Sequence, residues 1–278
     1  MGALRLRPVR TGISLFPIPL LAAAAIGLAA AGPAGAAASL CHAIAQRDGG
    51  PVAVPVALQT AAKEEVRIAY VGHSAFRIET PGGVSIVTDF SGRTGGSPPT
   101  VVTMNHAHAT HYAAYTDPAI AHVLRGWNEA GGPARHDLTV GDARIRNVPT
   151  DLYREGVLYE KDGNSIFVFE VAGLCIGHLG HLHHTLAPGH IAELGRIDVL
   201  FAPVDGNYTL SLPGMIEIAR QLRSSVVIPM HWFSGFTLQR FLDGMDDAFR
   251  IEIANSSQTV VSLAALPSSP TVLVLSPQ

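Results

Sequence analysis

The stretch Asn105-His106-Ala107-His108-Ala109-Thr110-His111 constrains this chain more than any other. Its three imidazoles directly follow the apolar run Val101-Val102-Thr103-Met104. Residues two apart on an extended chain project to one side, so His106 and His108 can address a single point as a strand ends. His111 returns to that point if the chain then turns. Neutral imidazole is the commonest metal ligand, and three or four such nitrogens suit zinc, with manganese or iron as alternatives.

A second cluster, Gly177-His178-Leu179-Gly180-His181-Leu182-His183-His184, also leaves an apolar run. His231 directly follows Ser225–Ile228 and Pro229-Met230. Three strand ends delivering histidines to one sheet edge would build a metal centre on loops whose geometry the sheet fixes.

The surrounding pattern is β-rich at first and helical later. Val66–Val71, Ala75–Glu79 and Val84–Thr88 read as an antiparallel meander turning at Gly72-His73-Ser74 and Pro81-Gly82-Gly83 and ending on Asp89. Strands are predicted at Val101–Met104 and His122–Arg125. Hairpins follow around Gly141-Asp142 (Leu138–Val140 with Ala143–Val148) and around Ala172-Gly173 (Ser165–Val171 with Leu174–Ile176). Helices are predicted over Pro188–Leu194, from a Ser211 cap to Leu222, and over Thr237–Met245, with strands Val199–Ala202 and Ser225–Ile228 between them. Such interleaving implies two packed sheets flanked by helices.

The chain has 278 residues, 47% of them hydrophobic and 15% charged, enough for a sizeable core. Arg5, Arg7 and Arg10 lie in a start that holds no acid, so the remainder is more acidic than the whole chain's net charge of -3. With no basic cluster, nucleic acid is excluded as a main partner, and a small-molecule substrate or ligand is expected. The basic start, the apolar run Ile13–Ala31 and the small residues Ala34-Gly35-Ala36 read as a signal peptide over 1–36. An uncleaved membrane anchor is the competing reading, disfavoured by Pro17 and Pro19. Residues 37–63 form an arm or linker, and 64–278 the folded domain of a periplasmic or secreted protein with no stable membrane span once the leader is removed. Of the two cysteines, Cys41 falls in the arm and Cys175 in an apolar strand. We expect Cys175 to be a buried small hydrophobe rather than half of a disulfide with Cys41.

The order Gly72-His73-Ser74, Asp89, His-x-His-x-x-His, Gly-His-Leu-Gly, Ile197-Asp198-Val199 and Ile228-Pro229-Met230-His231 resembles the metallo-β-lactamase superfamily, most nearly its ascorbate-phosphate lactonase-related branch. The resemblance spans nearly all of the chain beyond Val66. It implies an α+β fold, an αββα sandwich of two mixed sheets flanked by helices. It also implies hydrolysis of an ester, lactone or phosphodiester by metal-bound hydroxide.

Three departures bear on the metal. The family's His-x-His-x-Asp-His has Thr110 at its aspartate; the next expected histidine falls where Pro149-Thr150-Asp151 stand; and the bridging aspartate of His-Leu-Gly-Asp is His181. The site thus shifts toward nitrogen ligands and loses negative charge that would offset two adjacent cations, so one ion is expected rather than two. His106, His108, His181 and His231 are the expected ligands, with His111 close by. Thr110 and His181 take catalytic positions, while His73, Asp89 and His178 stand behind or beside the ligands. A non-catalytic metal- or ligand-binding descendant of the fold is the alternative.

Overall fold

Alternation with period two builds the centre of the molecule. Along Ile166-Phe167-Val168-Phe169 and Val199-Leu200-Phe201-Ala202, one set of side chains enters a core shared with Ile68, Phe76 and Ile78, and the other enters a core shared with helices. A sheet apolar on both faces must be covered on both, which is the physical origin of the layered architecture.

The computed structural model describes Gly2, residues 39–42 and residues 64–278. The chain divides into Met1–Ala37 and Ala38–Gln278. The predicted leader over 1–36, apart from Gly2, and most of the arm over 37–63 lie outside the described residues.

One sheet has six strands in the order β13-β1-β2-β3-β4-β5, from β1 (Val66–Gly72), β2 (Ala75–Glu79), β3 (Ser85–Val87), β4 (Val101–Met104), β5 (His122–Arg125) and β13 (Gln258–Val261). β1, β2, β3 and β13 pair antiparallel; β3, β4 and β5 pair parallel. The other sheet has eight strands in the order β12-β14-β11-β10-β9-β8-β7-β6. Its members are β6 (Asp137–Val140), β7 (Ala143–Arg154), β8 (Val157–Val171), β9 (Leu174–His178), β10 (Val199–Pro203), β11 (Val226–Met230), β12 (Arg250–Ile253) and β14 (Thr271–Val274). β9, β10, β11, β14 and β12 run parallel, so the ends of β9, β10 and β11 open at one rim.

Helices α1 (Pro188–Leu194), α2 (Leu212–Leu222) and α3 (Gly235–Asp243) contribute Leu194, Met215, Ile218 and Phe241 to the outer face of the eight-stranded sheet. Ser211 occupies the N-cap position of α2 but makes no side-chain cap bond. The outer face of the six-stranded sheet carries no helix among the described residues. There Val87, Val102 and Met104 pack against Phe90, Ile120, Tyr112 and Trp127, so Phe90, the loop 112–120 and Trp127 form the cover. No helix among the described residues is long and apolar enough to cross a membrane.

The structure corrects the reading of the cysteines. Cys41 and Cys175 form a disulfide with their Cα atoms 6.0 Å apart, and both are fully buried. The short piece Ser39–His42 is bound well beyond that bond. Ser39 Oγ donates to Glu170 (2.6 Å), the Arg196 amide donates to the Cys41 carbonyl (3.0 Å), and the His42 ring bonds the Glu193 carbonyl (2.7 Å). A cysteine in a weakly patterned segment gives no sequence signal of such docking, which is why spacing alone pointed elsewhere.

Candidate metal centre

Every element that ends at the common rim brings chemistry with it. The β1–β2 turn brings His73, β3 leads into Asp89, and β4 into His106, His108 and His111. On the other sheet β9 ends on His178 and leads into His181, β10 leads into Asp205, and β11 into His231. The two sheets are joined here by the His231 amide, which donates to the His73 carbonyl (2.7 Å). His73, Asp89 and His231 all adopt left-handed backbone, with φ of 54°, 48° and 55°. Non-glycine residues held there are strained by about 1 kcal/mol each, and such strain concentrates at functional sites.

Among the described residues, His73, His111 and His231 form one group whose ligand-type atoms all lie within 4.8 Å of one another. Two of the three are oriented by carboxylates. His111 Nδ1 donates to Asp89 Oδ2 at 2.5 Å, and His231 Nδ1 donates to Asp205 Oδ1 at 2.9 Å. This fixes the tautomer and leaves Nε2 as the free lone pair, the usual support of a metal-binding histidine. Nε2 of His73 and of His111 are buried without a hydrogen-bond partner. Buried polar atoms are ordinarily satisfied, so two orphaned imidazole nitrogens facing a third are a fit for a cation.

The carboxylates are themselves held firmly. Asp89 also accepts from Ser74 Oγ (2.5 Å) and the Asn105 amide (3.2 Å). The His178 ring bonds the Ser74 carbonyl (2.7 Å) and accepts from the Gly180 amide (3.0 Å), so His178 fixes the turn that carries Ser74. Asp205 accepts from the amides of Asn207, Tyr208 and Thr209 and from Thr209 Oγ1. Burial alone would raise the Asp89 carboxyl, yet His111 and its hydrogen bond, with His178 and Ser74, hold it well below the carboxylate range. Asp205 is likewise raised by burial but brought lower overall by His231, Thr209 and Asn207. Burial, with His231 and His111 beside it, lowers His73 to about 4, so its ring is neutral and its nitrogen available at physiological pH.

Asp89→Asn is expected to lower stability by about 2–4 kcal/mol, because an amide cannot accept from three donors as a carboxylate does. A carboxyl group depressed on folding contributes stability above its unfolded pKa of about 3.9 and loses it as pH falls toward the folded value. Urea titrations should therefore show wild-type stability falling below pH ~4 more steeply than that of Asp89→Asn. Equal stability of the two proteins at pH 7 would contradict this account.

The other expected ligands form a second tier. His106 and His108 stack with ring centres 6.2 Å apart, and His181 lies 5.3 and 6.1 Å from them. His181 reaches the inner group, with its ring 4.6 Å from that of His111 and 5.7 Å from that of His231. His106, His108 and His181, with His183, line a cavity of 930 Å³. On another side Phe233 covers the inner group, 5.0 Å from His231 and 5.6 Å from His73. Thr110 is exposed, with its hydroxyl 3.0 Å from His108 Nδ1.

Where the resemblance implied a further histidine, Thr150 is buried and accepts from Asn164 Nδ2 (2.8 Å), while Asp151 accepts from the Asp162 amide. Asn164 in turn accepts from the His181 amide (2.8 Å). A Cβ at Gly180, where φ is +62°, would meet Asn105 and Asn164 atoms at 2.5–2.6 Å, so only glycine lets the loop deliver His181. Asp205 was not singled out as a site residue from sequence. Its signal was a carboxylate just past an apolar strand, the same signal that marked Asp89.

Residues 67–231 match the β-lactamase superfamily domain. A UPF0173 metal-dependent hydrolase of Symbiobacterium thermophilum is 28% identical over 219 residues, covering 70% of this chain and 96% of its own. Another from Methanoculleus marisnigri is 27% identical over 183 residues, covering 60% and 81%. Among solved structures, a metallo-β-lactamase superfamily protein of Thermotoga maritima superposes with a TM-score of 0.57 at 30% identity, over 77% of this chain and all of that one. These likenesses reach the superfamily rather than the lactonase-like branch within it. With both sheets, the rim and the histidine loops in the expected order, the chain belongs to the metallo-β-lactamase superfamily.

Proposed function

We propose that this metal-dependent hydrolase of the metallo-β-lactamase fold holds one zinc ion on His73, His111 and His231 and cleaves an ester, lactone or phosphodiester in a small molecule. The observation that carries the reading is the inward-facing trio, with unpartnered Nε2 atoms on His73 and His111 and carboxylates fixing His111 and His231. Three neutral nitrogens favour zinc over the oxygen-seeking divalent ions. When bound, zinc supplies Lewis acidity and a nucleophile from water at neutral pH.

The chain's own groups carry the rest. Asp89 and Asp205 keep Nδ1 of His111 and His231 protonated. His181 stands between the trio and the cavity, with Nδ1 buried and unpartnered. Burial, with His111, His183 and His106 nearby, lowers its pKa, so it is a neutral base. It is placed to accept a hydrogen bond from the attacking water and orient it, the water's proton passing to the leaving oxygen and its oxygen ending in the acid product. Thr110 holds the His108 ring at the cavity wall. The predicted leader and the Cys41–Cys175 bond both support a periplasmic or secreted location, where disulfides persist.

Elemental analysis of the protein isolated from its own compartment should find about one zinc per chain. A panel of esters, lactones and phosphodiesters should reveal turnover that His181→Ala lowers by about a hundredfold while zinc is retained. Stoichiometric metal without turnover would assign the non-catalytic binding role instead, and protein without metal would overturn the reading.

A further inference from the structure

The β7–β8 hairpin carries the chain beyond the eight-stranded sheet and over the histidine cavity. Its strands pair as far as Arg154 opposite Val157, across the two-residue turn Glu155-Gly156. Both turn residues have positive φ (51° and 78°), the geometry that matches strand twist and makes a stiff hairpin. Register shifts between Thr150 and Leu152 and between Leu152 and Tyr153 re-aim the arm at its base. That base is pinned to the loop carrying His181: the His183 ring bonds the Tyr153 carbonyl (2.5 Å), and the Asp151 amide donates to His184 Nε2 (3.3 Å). The arm is thus positioned by the same loop that positions the site.

What it presents is specific. Val157, Leu158 and Tyr159 are exposed at 69%, 48% and 60%, an unusual share of apolar surface for a hairpin tip. The Arg154 guanidinium lies 4.6 Å over the Tyr159 ring, and no carboxylate pairs with it among the described residues. Stacking occupies the guanidinium's face and holds the group still, leaving its N–H edge free for a two-pronged contact. Arg154, Tyr159 and Tyr208 (63% exposed) line the same cavity as His106, His108 and His181. The cavity's 930 Å³ suits a drug-sized molecule. Among the described residues, the only formal charges on its wall are Arg154 and Glu155.

We propose that this hairpin is the substrate-recognition arm, with Arg154 binding a carboxylate of the substrate while its apolar body lies against Tyr159 and Tyr208. A single guanidinium with Glu155 next to it suits a monoanion and disfavours a phosphate dianion. Resting on the hydrolase reading, this narrows the substrate to an ester or lactone that carries a free carboxylate away from the bond cleaved.

The test is binding of benzoate and of neutral benzamide to the intact protein, followed by NMR titration, in wild type, Arg154→Ala and Arg154→Lys. Arg154 is exposed, so neither variant threatens folding. Benzoate should bind wild type and weaken at least about fivefold in Arg154→Ala, with partial rescue in Arg154→Lys and benzamide unchanged throughout. Salt should weaken the benzoate complexes of wild type and Arg154→Lys but not that of Arg154→Ala. Benzoate that fails to bind wild type, or binds Arg154→Ala equally well, overturns the proposal, as does an Arg154-dependent preference for phenyl phosphate over benzoate. Zinc content should be the same in wild type and Arg154→Ala, and wild type should turn over a neutral aryl acetate. If wild type lacks both, the hydrolase reading fails while Arg154-dependent benzoate binding still stands or falls separately.

Discussion

Replacing His111 by asparagine is expected to strip the metal from the protein and lower turnover by at least about a thousandfold while the chain still folds. His111 is the hinge of the whole centre. Its ring lies within 6 Å of those of His73, His108, His181 and His231, and it is fully buried. Alanine there would remove the ligand and also abandon the Asp89 carboxylate, confounding loss of metal with loss of fold. Asparagine avoids this, because its amide N–H can replace the Nδ1 donor to Asp89 while offering a metal no imidazole. Elemental analysis and circular dichroism of the same sample separate the two effects. A comparison with His73→Ala and His106→Ala then identifies the ligand set. On the geometry of the trio, His73→Ala loses metal and His106→Ala keeps it while losing activity. The opposite pattern would restore the set suggested by the spacing of the motif and remove His73 from the centre.

His73 shows where sequence stops being informative. The strands that deliver histidines were legible because each is a short apolar run broken by glycine or by the histidines themselves, and α1 was legible to the residue through Pro188. What brings His73 beside His231 is a left-handed turn and a backbone bond between two sheets, from residues far apart in the chain. Neither leaves a local pattern. The far half of the β7–β8 hairpin was missed for a related reason. On β8 the stretch Val157–Asp162 holds no buried residue, and on β7 the burial beyond Val148 alternates through Thr150 and Leu152, a polar residue and a single leucine that form no apolar run. β12, β13 and β14 were missed too, because each is short and takes its place from partners: β13 completes the first sheet beside β1, and β14 inserts between β11 and β12. Thr110 and Thr150 stand where the resemblance implied an aspartate and a histidine. Only the fold shows that Thr150 is tied into the Asn164 network that holds the His181 amide.

Breaking the Cys41–Cys175 bond is expected to cost about 2–5 kcal/mol of stability and to leave metal content unchanged. The bond closes a loop of 134 residues, and long loops gain most from closure in the chain-entropy account. Its removal also loosens Ser39–His42 from a buried charged network. Arg146 donates to Glu170 (2.8 Å) and to the Glu193 and Leu194 carbonyls, and Ser39 adds a further bond to Glu170. Burial raises the Glu170 carboxyl, but Ser39 and Arg146 more than offset it, so the group stays ionised and needs both partners. The metal should be spared because β9, which carries Cys175, is also held in register by β8 and β10 up to His178. Cys41→Ser, Cys175→Ser and the double variant should therefore show the same lowered urea midpoint, and wild type should join them once reduced. If the single variants differ by more than about 1 kcal/mol, a thiol contributes on its own and the double-variant cycle will show how much. If wild type and variants unfold alike, the arm is not held by this bond, and the case for an oxidising compartment loses its physical footing.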